Sequence, residues 1–242
     1  MKKDIIKCGV LLLLSIALPL VAVIPMQRGD ADRSDWMSRL DDETSLNSVT
    51  IPGTHDSGAL YSIADVSGKC QSLSVKEQLK VGVRFLDIRL QLVDNKLRVV
   101  HSFADQLTEF DGVLFDMVEF IRNNPSEFLI VSIKEDASPK GSDKNFADVL
   151  EDMLLSYSEV SASRELPETV GASRGGIHIV ARYRDASIGL PCYDGWADDT
   201  SFALGDIYVQ DNYCVPNAKE KIADIRQTYS VALEKTHALV LN

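Results

Sequence analysis

The stretch Phe128-Leu129-Ile130-Val131-Ser132-Ile133-Lys134 (FLIVSIK, residues 128–134) is almost continuously apolar. Such a run is typical of a strand in a parallel sheet that helices cover, because side chains on both faces are then buried. Phe85–Val93 is a second predicted strand. Three later runs repeat the type, at Ile177–Arg182, Ile207–Gln210 and Ala238–Leu241.

Helical periodicity appears between these strands. Asp111–Asn123 carries apolar residues at helical spacing, and Asn145–Ser156 and Lys219–Leu233 behave in the same way. Val75–Lys80 is a shorter predicted helix that ends before Gly82. Alternating strands and helices predict an α/β fold with a parallel sheet. The periodicity does not distinguish an open sheet from a barrel.

Two further strands are predicted in the first half of the chain. Leu46–Ile51 is one of them. Leu97–His101 is the other, and it is expected to pair with Phe85–Val93 across a turn at Asp94-Asn95. The total is six or seven principal strands, which is fewer than the eight of a complete (β/α) barrel.

The composition indicates a globular, acidic protein of 242 residues with a formal net charge of -11. A hydrophobic content of 45% and a charged content of 25% argue against a disordered chain or a coiled coil. The negative charge argues against sequence-independent nucleic-acid binding and against broad adhesion to anionic lipid. A local basic pocket for one phosphate remains compatible with it.

The first 29 residues have the pattern of a targeting segment. Three lysines precede an apolar run from Cys8 to Met26, and a polar stretch follows. We interpret residues 1–29 as a signal peptide or an N-terminal membrane anchor, and residues 30–242 as the functional domain. Both interpretations place that domain outside the cytoplasm, either secreted or anchored.

Three cysteines follow that segment, at Cys70, Cys192 and Cys214. A Cys192–Cys214 disulfide is one expectation for an oxidising compartment. Three unpaired thiols are the alternative. The chain has no C-x-x-C pair or His-rich motif, so the sequence predicts no zinc site.

Polar residues whose side chains could take part in catalysis or binding follow the predicted strands. Because sites in α/β folds form at the carboxyl ends of strands, we expect these residues to meet. They are His55-Asp56, Asp87 and Arg89, His101, Lys134, Arg182 and Asp211.

Two histidines and one arginine in this set suit metal-free cleavage of a phosphodiester. His55 and His101 are candidates for general base and acid, because imidazole titrates near neutrality. Asp87 and Arg89 point to the same face of a strand, so the carboxylate can orient a guanidinium toward phosphate oxygens. The alternatives are an incidental surface turn at His55 and a structural ion pair at Arg89. His178 alternates with apolar residues inside a strand and His237 precedes the last one, so neither is a site candidate.

The stretch Ser48-Val49-Thr50-Ile51-Pro52-Gly53-Thr54-His55-Asp56-Ser57-Gly58 resembles the signature of the bacterial phosphatidylinositol-specific phospholipase C family, which shares its X-domain with eukaryotic relatives. Trp36-Met37, Phe85-Leu86-Asp87-Ile88-Arg89, the His101 segment and Asn124-Pro125-Ser126-Glu127 resemble the family in order and spacing. The resemblance implies a distorted, partly open TIM-like barrel. It also implies cleavage of phosphatidylinositol, in membranes or micelles, to diacylglycerol and inositol 1,2-cyclic phosphate without a metal or other cofactor.

The resemblance also implies a role for each site residue. His55 would be the general base and His101 the general acid, supported by Asp56. Arg89 would contact the phosphate, at the place where eukaryotic members hold calcium. Lys134, Arg182, Asp211 and Tyr213 fall where the family contacts inositol, with Arg184 as a competing choice for Arg182; Asp87 joins this substrate-binding set.

The sequence departs from the family pattern in two ways. Ser102 follows His101, where relatives commonly have glycine. The sequence ends at Asn242, before the helix and strand that carry the family's base-orienting aspartate, so the barrel is expected to be incomplete at that end. Two alternatives therefore remain: a non-catalytic inositol- or lipid-binding module, and a metal-dependent glycerophosphodiester hydrolase.

Overall fold

A computed structural model describes residues 32–61, 68–102, 104–234 and 237–242. The proposed targeting segment and Cys8 lie outside these residues. Among the described residues, no helix has the length and apolar character needed to cross a membrane.

Within the described residues, ten strands and five helices follow the predicted α/β alternation. The strands are β1 (Gly53–Thr54), β2 (Phe85–Val93), β3 (Lys96–His101), β4 (Ala104–Glu109), β5 (Leu129–Glu135), β6 (Ile177–Arg182), β7 (Leu190–Pro191), β8 (Ser201–Leu204), β9 (Ile207–Gln210) and β10 (Leu239–Leu241). The helices are α1 (Val75–Lys80), α2 (Phe110–Asn123), α3 (Phe146–Leu154), α4 (Val170–Ser173) and α5 (Ala218–Glu234).

The main sheet has seven strands in the order β4-β3-β2-β5-β6-β7. Strand β1 pairs with the amino-terminal part of β2, on the edge that β3 covers farther along. Strands β1, β2, β5, β6 and β7 run parallel, whereas β3 and β4 are antiparallel additions. A second sheet pairs β8 antiparallel and β10 parallel with β9. The fold is an α/β, partly open TIM-like barrel, as the family resemblance implied.

The two faces of the parallel strands have different surroundings. One face packs alternate residues of β2, β5 and β6 against α2 and α3, in a cluster that contains Leu86, Val131, Ile179, Leu114 and Leu150. The opposite face begins with apolar residues and becomes charged toward the carboxyl ends of the strands. That change in character positions the candidate site.

The hairpin between β2 and β3 is confirmed. Asp94 and Asn95 adopt φ values of 49° and 62°, as the two central residues of a type I′ turn require. The strand prediction for Leu46–Ile51 is wrong, because Leu46–Ser48 forms a 3₁₀ turn. The Ser48 amide donates to the Ser45 carbonyl at 2.9 Å, and this local bond replaces the inter-strand pairing that a strand would need.

The predicted Cys192–Cys214 disulfide is also wrong, since both thiols are free. Cys192 is buried in an apolar cluster with Val180 and Val209, whereas Cys214 lies on an exposed loop. Packing therefore accounts for Cys192 without a covalent partner.

Candidate active site

Three cationic side chains lie in one row across the parallel strands. The register aligns Arg89 of β2 with Lys134 of β5, and Lys134 with Arg182 of β6. Neighbouring strands are about 4.8 Å apart, so these side chains leave the same face of the sheet close together. Three adjacent positive charges repel one another unless carboxylates or a bound anion compensate them.

Carboxylates from three segments surround this row. Arg89 Nε lies 3.0 Å from Asp56 Oδ1, and Arg89 Nη2 lies 3.2 Å from Asp87 Oδ2. Lys134 Nζ lies 2.5 Å from Asp136 Oδ1, and Arg182 Nη1 lies 3.5 Å from Asp87 Oδ1. Burial acts to lower the pKa of Arg89, but the nearby carboxylates outweigh it and the pKa rises. The guanidinium is therefore held charged and in a fixed orientation.

The turn that carries His55 and Asp56 is fastened to strand β2. The Ser57 amide donates to the Asp87 carbonyl at 2.7 Å, and the Asp87 amide donates to Ser57 Oγ at 2.8 Å. Asp56 has a φ of 45°, which places its backbone in the left-handed region. Gly58 is required at the end of the turn, because a Cβ there would lie 2.6 Å from a methyl group of Val99. These contacts explain why the turn motif has the residues it has.

His55 lies between the two carboxylates and the guanidinium. Its Nε2 is 3.1 Å from Asp56 Oδ2, and its Nδ1 is 3.5 Å from Arg89 Nη2. In the tautomer with a proton on Nε2, Asp56 accepts a hydrogen bond from that nitrogen. The other nitrogen, Nδ1, then carries a lone pair that faces the guanidinium. The hydrogen bond with Asp56 raises the pKa of His55. Such an imidazole suits a general base.

His101 reaches the same aspartate from strand β3. Its Nε2 is 3.5 Å from Asp56 Oδ2, and its Nδ1 is 3.1 Å from the carbonyl oxygen of Gly68. Both ring nitrogens face oxygen acceptors, so the geometry suits the doubly protonated form that a general acid requires. Asp56 therefore connects the two imidazoles and Arg89.

Ser102, which follows His101, has an unusual backbone conformation. Its φ is 54°, in the region that favours glycine, and its amide donates to Asp136 Oδ2 at 2.6 Å. Asp136 thereby joins the His101 segment to Lys134. Burial acts to raise the pKa of Asp136, but the hydrogen bonds from Lys134 and from the Ser102 amide outweigh it and hold the pKa below its usual range.

Arg182, rather than Arg184, joins the row of cations. Its guanidinium stacks on the Trp196 ring at 3.6 Å from the centroid, and Trp196 Nε1 donates to Asp211 Oδ2 at 3.4 Å. Arg184 is instead bonded to Tyr193. Tyr213 is exposed, and its hydroxyl donates to Asp198 at 3.1 Å. The structure thus connects Asp211 to the site through Trp196 and places Tyr213 on a neighbouring loop.

The two other histidines have the roles expected of them, with one difference. His178 is buried in β6, where its Nε2 lies 3.0 Å from the Ser173 carbonyl oxygen. His237 is half-buried against the Tyr208 ring rather than fully solvated.

Three residues at the site were not predicted as part of it. Asp136 could have been recognised, because it lies two positions after Lys134 and so points to the same side of the chain. Trp196 and Cys70 come from segments distant in sequence, and no local pattern indicates their approach. Cys70 Sγ lies 3.9 Å from His101 Nδ1 and 4.0 Å from Asp56 Oδ2.

Known proteins are similar in sequence to this chain. The family model for the X domain of phosphatidylinositol-specific phospholipase C matches residues 50–177. A 1-phosphatidylinositol phosphodiesterase of Listeria monocytogenes is 26% identical over 216 residues, covering 86% of this chain and 66% of that protein. One from Staphylococcus aureus is 30% identical over 203 residues, covering 74% and 64%. The chain thus spans just under two thirds of the length of these curated relatives.

Solved structures show the same fold. A variant of the phosphatidylinositol-specific phospholipase C from Staphylococcus aureus matches with a TM-score of 0.77 and 25% identity, over 87% of this chain and 75% of that chain. The Listeria monocytogenes enzyme matches with a TM-score of 0.70 and 25% identity, over 87% and 78%. The family model covers more than half of the sequence, including the turn and the first strands of the site. The chain therefore belongs to the phosphatidylinositol-specific phospholipase C X-domain family.

Proposed function

We propose that this protein cleaves phosphatidylinositol into diacylglycerol and inositol 1,2-cyclic phosphate. The observation that carries the proposal is the convergence of His55, His101 and Arg89 on Asp56, with separations of 3.0 to 3.5 Å. A single tetrahedral phosphate placed against the cationic row would contact the guanidinium and lie within reach of both imidazoles. The names of the Listeria and Staphylococcus relatives support the same substrate.

In the proposed reaction, His55 removes the proton from the inositol 2-hydroxyl. The resulting oxygen attacks phosphorus, and the bond from phosphorus to the diacylglycerol oxygen breaks. His101 gives its proton to that leaving oxygen, so the products are a cyclic phosphodiester and a neutral alcohol. Slow hydrolysis of the cyclic product would yield inositol 1-phosphate.

Arg89 would stabilise the negative charge that builds on the phosphoryl oxygens. It is well suited to this role because Asp56 and Asp87 orient it before substrate arrives. Lys134, Arg182, Asp211 and Tyr213 are proposed to bind the inositol ring. For Arg182, the Trp196 stack supplies a rigid support.

Residues 30–242 would form the catalytic unit, and residues 1–29 would act as a signal peptide or anchor that delivers it outside the cytoplasm. The substrate is a membrane lipid, so contact with a membrane surface is part of the proposal.

The test replaces each imidazole and follows inositol phosphate release from phosphatidylinositol in mixed micelles. His55→Ala and His101→Ala should each abolish formation of the cyclic product. His237→Ala is the matched control, since this histidine contacts Tyr208 and not the site. Full activity in either site variant would refute the assignment of base and acid. Binding of myo-inositol by the unaltered protein without turnover would favour the non-catalytic alternative.

A further inference from the structure

Cys70 lies beside the catalytic groups, and the proposed reaction does not use its thiol. Its backbone amide donates to the Ala59 carbonyl at 2.9 Å, which ties the residue to the end of the His55 turn. The side chain is exposed, so a solute can reach the sulfur. The sulfur, one imidazole nitrogen of His55 and one carboxylate oxygen of Asp56 lie within 4.8 Å of one another.

These distances are close to those of a tetrahedral zinc site. Bond lengths of about 2.0 Å to nitrogen or oxygen and about 2.3 Å to sulfur imply ligand separations of about 3.3 and 3.5 Å. The separation of His55 Nε2 and Asp56 Oδ2 is 3.1 Å, and that of Cys70 Sγ and Asp56 Oδ2 is 4.0 Å. The remaining gap between Cys70 Sγ and Asp56 Oδ2 is about 0.5 Å, at an exposed side chain.

The donors within 4.8 Å of one another come from these three residues, and His101 lies beside the group. His101 Nε2 lies 3.5 Å from the same Asp56 oxygen. Imidazole, carboxylate and thiolate together form a borderline-soft set, which favours zinc over magnesium or calcium because the latter prefer oxygen ligands. Arg89 is paired with the other oxygen, Asp56 Oδ1, so a metal bound to Oδ2 leaves that ion pair intact.

We propose that His55, Asp56 and Cys70 form a binding site for Zn²⁺ that overlaps the catalytic groups. On binding, the thiol releases its proton to solvent and the His55 ring carries its proton on Nδ1 instead of Nε2. Asp87 Oδ2, 3.4 Å from Nδ1, accepts that proton in a hydrogen bond. Zinc in this position occupies His55 and the Asp56 oxygen that both imidazoles contact, and it therefore inhibits phosphodiester cleavage. Only this inhibitory consequence rests on the proposed function, whereas the binding itself does not.

The test measures binding separately from turnover. Zn²⁺ is titrated by calorimetry into the chelator-treated full-length protein, and Co²⁺ is used as a spectroscopic substitute because a sulfur ligand gives a charge-transfer band. We expect one equivalent of Zn²⁺ to bind and the Co²⁺ complex to show that band. Cys70→Ser should remove the band and weaken Zn²⁺ binding by at least about tenfold. Cys214→Ser, which alters the other exposed thiol, should leave both unchanged.

Unchanged binding in Cys70→Ser, or a Co²⁺ complex of the unaltered protein that lacks the band, would overturn the proposal. Inhibition is then measured against the metal-free rate of each variant. Zn²⁺ should inhibit the unaltered protein and Cys214→Ser at concentrations that leave Cys70→Ser active. Inhibition of all three at the same concentration would contradict a shared site. If the protein binds Zn²⁺ through Cys70 but shows no turnover under any condition, the proposed function fails and the metal site stands.

Discussion

Replacing Asp56 with asparagine should disable the candidate site while preserving its shape. The carboxylate is almost fully buried, with 1% of its side chain exposed, and it contacts His55, His101 and Arg89. Asparagine has nearly the same volume and retains one oxygen acceptor, but it carries no charge. The change therefore removes the electrostatic support of both imidazoles without opening a cavity.

The size of the effect follows from the distances. Two unit charges 4 Å apart interact by about 4 kcal/mol at the effective dielectric constant typical near a protein surface. The His55 side chain is 66% exposed, so solvent screens that contact; the His101 side chain is 28% exposed and retains more of the interaction. A loss of about 3 kcal/mol in transition-state stabilisation corresponds to a rate reduced by about a hundredfold.

The assay is kcat/KM for phosphatidylinositol in mixed micelles, together with thermal unfolding to show that the fold is intact. Asp56→Asn should fall by about a hundredfold or more, within the range that general acid-base groups contribute. Asp111→Asn, at an exposed carboxylate in the first turn of α2, is the matched control and should match the unaltered protein. An Asp56→Asn variant that keeps more than about a tenth of the activity would refute the idea that this carboxylate supports the proposed acid, the proposed base and Arg89 together.

Three further predictions concern stability. Ser102→Gly should raise the free energy of unfolding by up to about 1 kcal/mol, because glycine relieves the left-handed backbone, and a loss of stability in urea unfolding would contradict this. Arg84→Met should lower it by about 3 to 5 kcal/mol, because Glu127 would keep a fully buried charge without its partner at 2.8 Å, and an unchanged urea midpoint would contradict this. Burial lowers the pKa of His178, with a backbone hydrogen bond acting against it, so its stabilising contribution is complete above the ordinary value of 6.5 and is lost as the pH falls below it. His178→Gln should remove that part of the acid sensitivity of the melting temperature. If the melting temperatures of the variant and the unaltered protein fall equally between about pH 7.5 and about pH 5.5, the prediction is wrong.

Much of the fold could be predicted because the parallel strands are buried on both faces. Strands β2, β6 and β9 have the predicted bounds, since their apolar runs coincide with the buried segments. Strand β4 was missed because its sequence, ADQLTE, has mostly polar residues and gives no such signal. The error at Leu46–Ile51 has the opposite cause, since apolar residues there are buried from a 3₁₀ turn rather than a strand.

The site could be predicted where it depends on strand ends. Lys134 and Arg182 lie at or near the carboxyl ends of parallel strands, so the fold class brings them to one edge. Arg89 lies in the middle of β2 and His101 ends an antiparallel strand, so their arrival depends on the register of the sheet. The approach of Trp196 to Arg182 depends on how the loop before β8 packs, which is a long-range contact without a local sequence signature. The same reason applies to Cys70.

The most direct test of the central claim is phosphorus NMR of phosphatidylinositol incubated with the purified protein, with and without a chelator. If His55, His101 and Arg89 act together on one phosphate, the signal of a five-membered cyclic phosphodiester should appear first, and the chelator should not slow its appearance. A linear monophosphate formed without the cyclic species, or turnover that requires added magnesium or calcium, would contradict the account.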